Sequence, residues 1–289
     1  MEAIQYARPA TVPEAVKTLA AAGGGGRVLA GGTDLLVQLR LGIRTPQVIV
    51  DIKGIAELRA IEVSAAGIQI GAAATSSEVG EHPEVVRHWP GVVEAMHLIG
   101  STQIQGRASL GGNLCNASPA ADSVSALIAA GARCTVAGPN GRRVVNVEDV
   151  VLAPGKTSLG AGEFIVNFLL PVRQAHSGDA YLRFIPRTEM DIAVVGAAVS
   201  LVLDAGGRCT AARLALCAVA PRPLLVAAGG AALVGTLVDA AALANLAAAA
   251  SAACAPIDDK RGTIEFRTRV AGVLARRAAS IALQRARGT

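Results

Sequence analysis

Aromatic side chains are scarce in this chain: one Trp, two Tyr and four Phe, or 2% of 289 residues. With so few stacking platforms, binding of single-stranded nucleic acid is not expected, although the sequence pI is near 9.2. The formal surplus is only +5, carried almost wholly by arginine and spread along the sequence. Histidine is equally thin, and His82, His88, His97 and His176 form no HxxxH or HExxH pair, so no metal site held by this chain alone is expected. Five cysteines (Cys115, Cys134, Cys209, Cys217, Cys254) are scattered, odd in number and without a CxxC. That excludes a disulfide framework and an in-chain iron–sulfur or zinc cradle. No window reaches the ~18 unbroken apolar residues of a membrane span. Leu237–Ala255 comes closest, but Asp239, Asn245 and Ser251 interrupt it, and it reads as a packed helix. Met1–Gln5 has neither the basic start nor the apolar run of a signal peptide, so a cytoplasmic protein is expected.

What is present is apolar and foldable: 52% hydrophobic against 17% charged residues, much of the former alanine. The length suggests two domains, at roughly 100–200 residues each. Residues 1–52 alternate in an α/β manner. Thr11, Pro13 and Glu14 spell a capped helix start, and the helix is expected to run to about Ala22, where Gly23–Gly26 ends it. A short strand at Arg27–Ala30, a helical Leu35–Leu41 and a buried strand at Val48–Ile52 follow. From Leu58 to about Pro171 the texture is of short strands and turns. Ile68–Ile70 is one strand, and Pro139-Asn140-Gly141 joins Arg133–Ala137 to Arg142–Val147 in a hairpin. Val92–Leu98 and Asp122–Ala130 read as helical. A third region, from near Tyr181, holds a hairpin of Val195–Leu203 and Arg213–Val219 about Asp204–Gly207, then helices at Leu237–Ala252 and Gly262–Arg285. The last is read with an apolar face of Val273, Leu274, Ile281 and Leu283, and with Arg276, Arg277, Arg285 and Arg287 on solvent or a partner.

Two glycine-rich turns stand out as either tight structural turns or ligand-binding ones: Leu29–Leu36 (LAGGTDLL) and Arg107–Asn116 (RASLGGNLCN). Paired glycines between an expected strand and helix bare the backbone, and consecutive N–H groups there suit an anionic pyrophosphate. The hydroxyls of Thr33 and Ser109 and the amide of Asn113 add donors. Neither turn is GxGxxG, and GxxxxGK[ST] and GxSxG are absent, which removes the Rossmann, P-loop and hydrolase-elbow readings. Cys115 reads as a small buried filler. Asp122 reads either as the cap of a helix over Ser123–Ala130 or as an acceptor for a ligand hydroxyl or amide.

Three motifs in order, Val28–Leu36 (VLAGGTDLL), Ile104–Asp122 (IQGRASLGGNLCNASPAAD) and Arg187–Val195 (RTEMDIAVV), resemble the FAD-binding medium subunit of molybdenum-containing hydroxylases, the group of xanthine dehydrogenase and aerobic carbon monoxide dehydrogenase. The resemblance covers essentially the whole chain. It implies an α+β architecture: the two-subdomain FAD-binding fold shared with p-cresol methylhydroxylase and vanillyl-alcohol oxidase, plus a small C-terminal α+β domain of antiparallel strands and helices. The FAD-binding domain would span 1–176, with subdomains of about 1–56 and 57–176, and the C-terminal domain 177–289. It further implies that Val28, Leu29, Ala30, Gly31, Gly32, Thr33, Asp34 and Leu35, with Ser109, Leu110, Gly111, Gly112 and Asn113, wrap the pyrophosphate and ribityl chain of FAD. Asp122 would accept from the adenosine side, Ile99 would lie against the isoalloxazine, and the Ile165 backbone would touch the ring edge. Arg183 falls where relatives carry a lysine near the flavin, and Thr75 is a further cofactor-binding candidate.

Three features depart from the family pattern. Ile104-Gln105-Gly106 stands where Ile-Arg-Asn is common, with Arg107 as the substitute. Ile99 replaces an aromatic. The cysteine-bearing insertion that holds an extra iron–sulfur cluster in 4-hydroxybenzoyl-CoA reductase is missing. The implied function is electron transfer by FAD in a heterotrimer. A molybdopterin-binding large subunit oxidises substrate, a [2Fe-2S] small subunit relays electrons, and this chain passes them to NAD+, oxygen or another acceptor. Two other functions fit the same residues: a self-standing flavin oxidoreductase using Ser101, Thr102 or Arg183, and a non-enzymatic interaction module whose glycine turns are structural.

Overall fold

The computed structural model describes residues 4–288. The first unit is a parallel three-stranded sheet of β1 (Gln5–Ala7), β2 (Gly26–Leu29) and β3 (Val48–Asp51), in the order β1-β3-β2. Helix α1 (Val12–Ala21) connects β1 to β2 and buries Val12, Ala15 and Leu19 with Val48 and Val50. Thr11 Oγ1 accepts the Glu14 N–H at 3.3 Å, while the Glu14 carboxylate takes the Ala10 N–H at 2.8 Å, so the expected box closes one residue early. Beyond β2 lies α2 (Leu35–Arg40), six residues of which none is buried.

The second unit is an antiparallel sheet. Its strands are β4 (Ile61–Ser64), β5 (Gly67–Gly71), β6 (Arg133–Gly138) and β7 (Gly141–Asn146); after a small ribbon of β8 (Val151–Ala153) and β9 (Lys156–Thr157), β10 (Phe164–Pro171) completes it in the order β4-β5-β10-β6-β7. The expected hairpin closes tightly, with Gly138 paired to Gly141 across Pro139 and Asn140. Six helices lie between β5 and β6: α3 (Ser76–Glu81), α4 (Pro83–His88), α5 (Pro90–His97), α6 (Thr102–Gln105), α7 (Leu110–Cys115) and α8 (Asp122–Ala130). All nine residues of α8 are buried. Its short side chains, with Trp89, Leu110, Leu127 and Phe168, form the core of this unit.

The third unit is a meander of β11 (Ser177–Phe184), β12 (Val195–Leu203), β13 (Cys209–Cys217) and β14 (Leu224–Leu225), covered by α9 (Ala227–Leu233), α10 (Ala240–Ala252) and α11 (Ile264–Arg287). β13 starts four residues before the expected Arg213, because Asp204 Oδ1 accepts the Gly206 and Arg208 amides at 2.9 Å each and makes the turn short. α10 starts at Ala240 and not at Leu237, since Asp239 Oδ1 caps the Ala242 N–H at 2.9 Å. Thr263 does the same for α11.

The buried face of α11 differs from expectation: alanines 271, 275, 278, 279, 282 and 286 line it with Leu274, while Val273, Ile281 and Leu283 are only partly buried. The reason is close approach. A Cβ on Gly178 would lie 1.9 Å from the Ala282 carbonyl oxygen, so helix and sheet meet nearly backbone to backbone, and only small side chains fit. Among the described residues, no helix is long and apolar enough to cross a membrane.

Candidate functional site: a strand-end turn with unspent amides

The first glycine pair follows β2 directly. The backbone amides of Gly31, Gly32, Thr33, Asp34 and Leu35 donate no hydrogen bond among the described residues; bonding resumes only at Leu36, whose N–H reaches the Gly32 carbonyl at 3.1 Å. The Thr33 side chain makes no hydrogen bond among the described residues either, and residues 31–33 are half-buried. Five successive donors without an acceptor, at a strand end, make a cradle for an anion. Asp34 does not cap α2; its carboxylate accepts from the Gln38 side chain.

Glycine is required here for two separate reasons. A Cβ on Gly31 would stand 1.8 Å from the Arg107 carbonyl oxygen, so this glycine lets the two glycine-rich segments touch. Gly32 has φ +80, the left-handed region. Arg107 also reaches back, donating from Nε to the Gly31 carbonyl at 3.4 Å. Gln105, the other residue at the departure from the family pattern, donates from Nε2 to the His97 carbonyl at 2.6 Å.

The second pair is built differently from the expected open turn. Gly111 and Gly112 lie inside α7, because Ser109 has extended backbone and its Oγ accepts the Gly112 N–H at 3.1 Å. The Gly111 amide goes to the Ala72 carbonyl at 3.1 Å and the Asn113 amide to the Ser109 carbonyl at 3.0 Å. Those three amides are spent. What the segment can offer a ligand is the Ser109 hydroxyl proton and the Asn113 side-chain NH2, which is aimed because Ser123 Oγ donates to Asn113 Oδ1 at 2.7 Å. Gly111 is a packing residue: a Cβ there would sit 2.6 Å from the Ala72 carbonyl oxygen. Leu110 is fully buried. Cys115, the last residue of α7, is exposed by its surface area, contrary to the filler reading.

Thr75 forms an isolated bridge to Ser109, which ties α3 to this segment. Its hydroxyl accepts from the Glu78 N–H at 3.2 Å and donates to the Glu78 carboxylate at 2.9 Å, a complete capping box. Asp122 is not a helix cap; Ala121 occupies that position without a side-chain bond. The buried Asp122 carboxylate instead accepts from Arg183 Nη1 at 3.0 Å and from the Tyr181 hydroxyl. Burial pushes the Asp122 carboxyl up, opposed by the adjacent guanidinium and hydroxyl. Arg183 also donates to the Leu98 carbonyl at 2.8 Å, next to Ile99, so the third unit holds the loop that carries Ile99. Ile99 is half-buried there. Ile165 lies in β10 opposite Val136, 2% exposed, beside the irregularity at Ile165/Asn167. Val28 and Ala30 are half-buried around the buried Leu29.

Pairwise contacts link the three units: Gly31 of the first touches Arg107 of the second, Asn113 bonds to Ser123 beside Asp122, and Asp122 pairs with Arg183 of the third. Sequence reasoning did not single out Ser123 or Tyr181, whose roles depend on contacts 10 and 59 residues away.

Comparison with known proteins identifies the family. Residues 2–173 match the family described as the FAD binding domain in molybdopterin dehydrogenase, and residues 180–282 match the CO dehydrogenase flavoprotein C-terminal domain. The carbon monoxide dehydrogenase medium chain of Afipia carboxidovorans is 34% identical over 282 residues, covering 98% of this chain and 97% of the relative. A putative xanthine dehydrogenase FAD-binding subunit of Escherichia coli is 36% identical over 221 residues, covering 76% of this chain and 75% of the relative. A solved structure of reconstituted CO dehydrogenase from Oligotropha carboxidovorans superposes with a TM-score of 0.94 at 34% identity, over 98% of each chain. The fold and the unspent cradle fit FAD as the cofactor, and the chain belongs to the family of FAD-binding oxidoreductase subunits of molybdenum hydroxylases.

Proposed function

We propose that this chain is the electron-transfer subunit that receives electrons from a [2Fe-2S] partner chain and passes them to NAD+, oxygen or another acceptor. The observation that carries the proposal is the run of unspent amides from Gly31 to Leu35. FAD, when bound, supplies the ability to accept electrons singly and release them in pairs. This chain's residues then need only bind, orient and shield it. In this reading the amides of Gly31–Leu35 and the Thr33 hydroxyl hold the pyrophosphate, with Val28, Leu29 and Ala30 forming the strand end behind it. The Ser109 hydroxyl and the Asn113 NH2 serve the ribityl chain, while Leu110, Gly111 and Gly112 keep α7 close. Ile99 covers the ring by apolar contact, and the Ile165 backbone approaches its edge. Arg183, Asp122 and Thr75 stand at the periphery, each already engaged by protein groups.

The Afipia relative is the medium chain of its enzyme, which supports a larger, molybdopterin-binding partner and a smaller, iron–sulfur partner here. A cytoplasmic heterotrimer is part of the same proposal, as is the division of the chain at 176/177, in the link between β10 and β11. A visible spectrum of the purified protein after incubation with FAD and desalting tests it. Retained flavin bands near ~450 nm, weakened by Thr33→Val, are expected, with no substrate oxidation by the chain alone. A folded protein that retains no flavin, alone or mixed with its partner chains, would refute the proposal.

A further inference from the structure

At the far end of β11 the chain forms a second, unrelated concavity of about 540 Å³, lined by Arg87, His88, Arg173, His176, Arg285 and Arg287 among others. It lies between the C-terminal ends of α4 and α11 and the link from β10 to β11. Ser177 lines it, and Arg183 is six residues further along the extended strand, so this groove is about 20 Å from the Arg183–Asp122 pair.

The charges facing it are unequally spent. Arg173 donates to buried Asp179 at 2.9 Å and lies over the Trp89 ring at 4.3 Å, which fixes its plane while leaving its Nε and Nη1 without an acceptor among the described residues. Arg285 is held by the Glu94 carboxylate and the Asp179 carbonyl. His88 faces Glu84 at 3.2 Å. The carboxylates of Asp179, Glu94 and Glu84 are each engaged in these contacts. Arg87 and Arg287 are exposed and form no hydrogen bond or ion pair among the described residues, not even with the helix-end carbonyls beside them. His176 is held at φ +53, a conformation a non-glycine residue adopts at a cost.

We propose that this groove binds a compact multivalent anion of the pyrophosphate class. Arg173 is anchored by the buried Asp179 carboxylate and Arg285 by the Asp179 carbonyl and the half-buried Glu94, while Arg87 and Arg287 close over the anion with their unspent guanidinium donors. A pyrophosphate group has enough acceptor oxygens to engage both free arginines and the outer edge of Arg173 at once. Inorganic pyrophosphate and a nucleoside diphosphate share this chemistry.

Isothermal titration of the full chain with inorganic pyrophosphate, and separately with ADP, tests the proposal once FAD has been loaded and fills the cradle at Gly31–Leu35. Binding is expected, and the double variant Arg87→Ala/Arg287→Ala weakens it by about tenfold or more. Arg276→Ala/Arg277→Ala removes the same charge from an exposed stretch of α11 and leaves binding unchanged. Both pairs are exposed, so melting temperatures should match the parent. Equal affinities for the two ligands assign the site to the diphosphate alone; tighter ADP binding assigns it to a nucleotide. No binding to the flavin-loaded protein, or an equal loss in both double variants, would overturn the proposal.

Discussion

The two glycine pairs look alike in the sequence and differ in what their backbone does. At Gly31-Gly32 the chain leaves a parallel strand, and five amides in a row find no acceptor. At Gly111-Gly112 it enters a capped helix, and three amides in a row are consumed by Ser109 and Ala72. Paired glycines therefore do not by themselves make an anion site. In the first segment Gly31 permits contact with Arg107 and Gly32 adopts a left-handed turn, and the amides point away from other backbone. In the second, Gly111 permits contact with Ala72, and the segment reaches a ligand only through the Ser109 and Asn113 side chains.

The largest effect on this contrast comes from the support beneath the second segment. Arg183→Ala leaves Asp122 buried without its cation and is expected to cost about 3 kcal/mol, read as a lower denaturation midpoint. Gly31→Ala comes next. Its Cβ cannot coexist with the Arg107 carbonyl, so a loss of about 1–3 kcal/mol is expected, together with weaker flavin retention, because the two segments must part. Thr33→Val removes one donor from the open cradle. FAD affinity should fall roughly fivefold to tenfold, about one hydrogen bond, with the melting temperature unchanged. Gly112→Ala is the smallest. Its Cβ would meet only Ser109 Oγ, at 3.3 Å, so stability should shift by under about 0.5 kcal/mol and flavin affinity should hold. A large flavin loss at Gly112 with none at Thr33 would invert the roles of the two segments.

Much of the fold was legible where the cause is local. Thr11 and Glu14, the Pro139-Asn140 turn and the helix over Asp122–Ala130 all lie close to expectation, because caps and turn residues act on their own neighbours. What was not legible depends on distant contacts. The alanine face of α11 follows from Gly178, about a hundred residues upstream. The helix at Leu110–Cys115 was hidden because a glycine pair reads as a turn, and only the Ser109 cap decides otherwise. At the site, Gly31–Leu35, Ser109 and Asn113 could be singled out as candidates from a family pattern. Which amides are spent was not readable, since that depends on Ala72 and Arg107 approaching in space. Asp122 shows the same limit: it reads as a helix cap or as a ligand acceptor, yet its carboxylate binds Arg183 and Tyr181.

Amide hydrogen exchange with and without FAD, followed at residues 31–35 and 111–113 in the assembled protein, tests the central contrast most directly. The amides of Gly31–Leu35 should exchange freely in the flavin-free protein and become protected when FAD binds, whereas those of Gly111–Asn113 should be protected in both. Protection gained at 111–113 with none gained at 31–35 would contradict it.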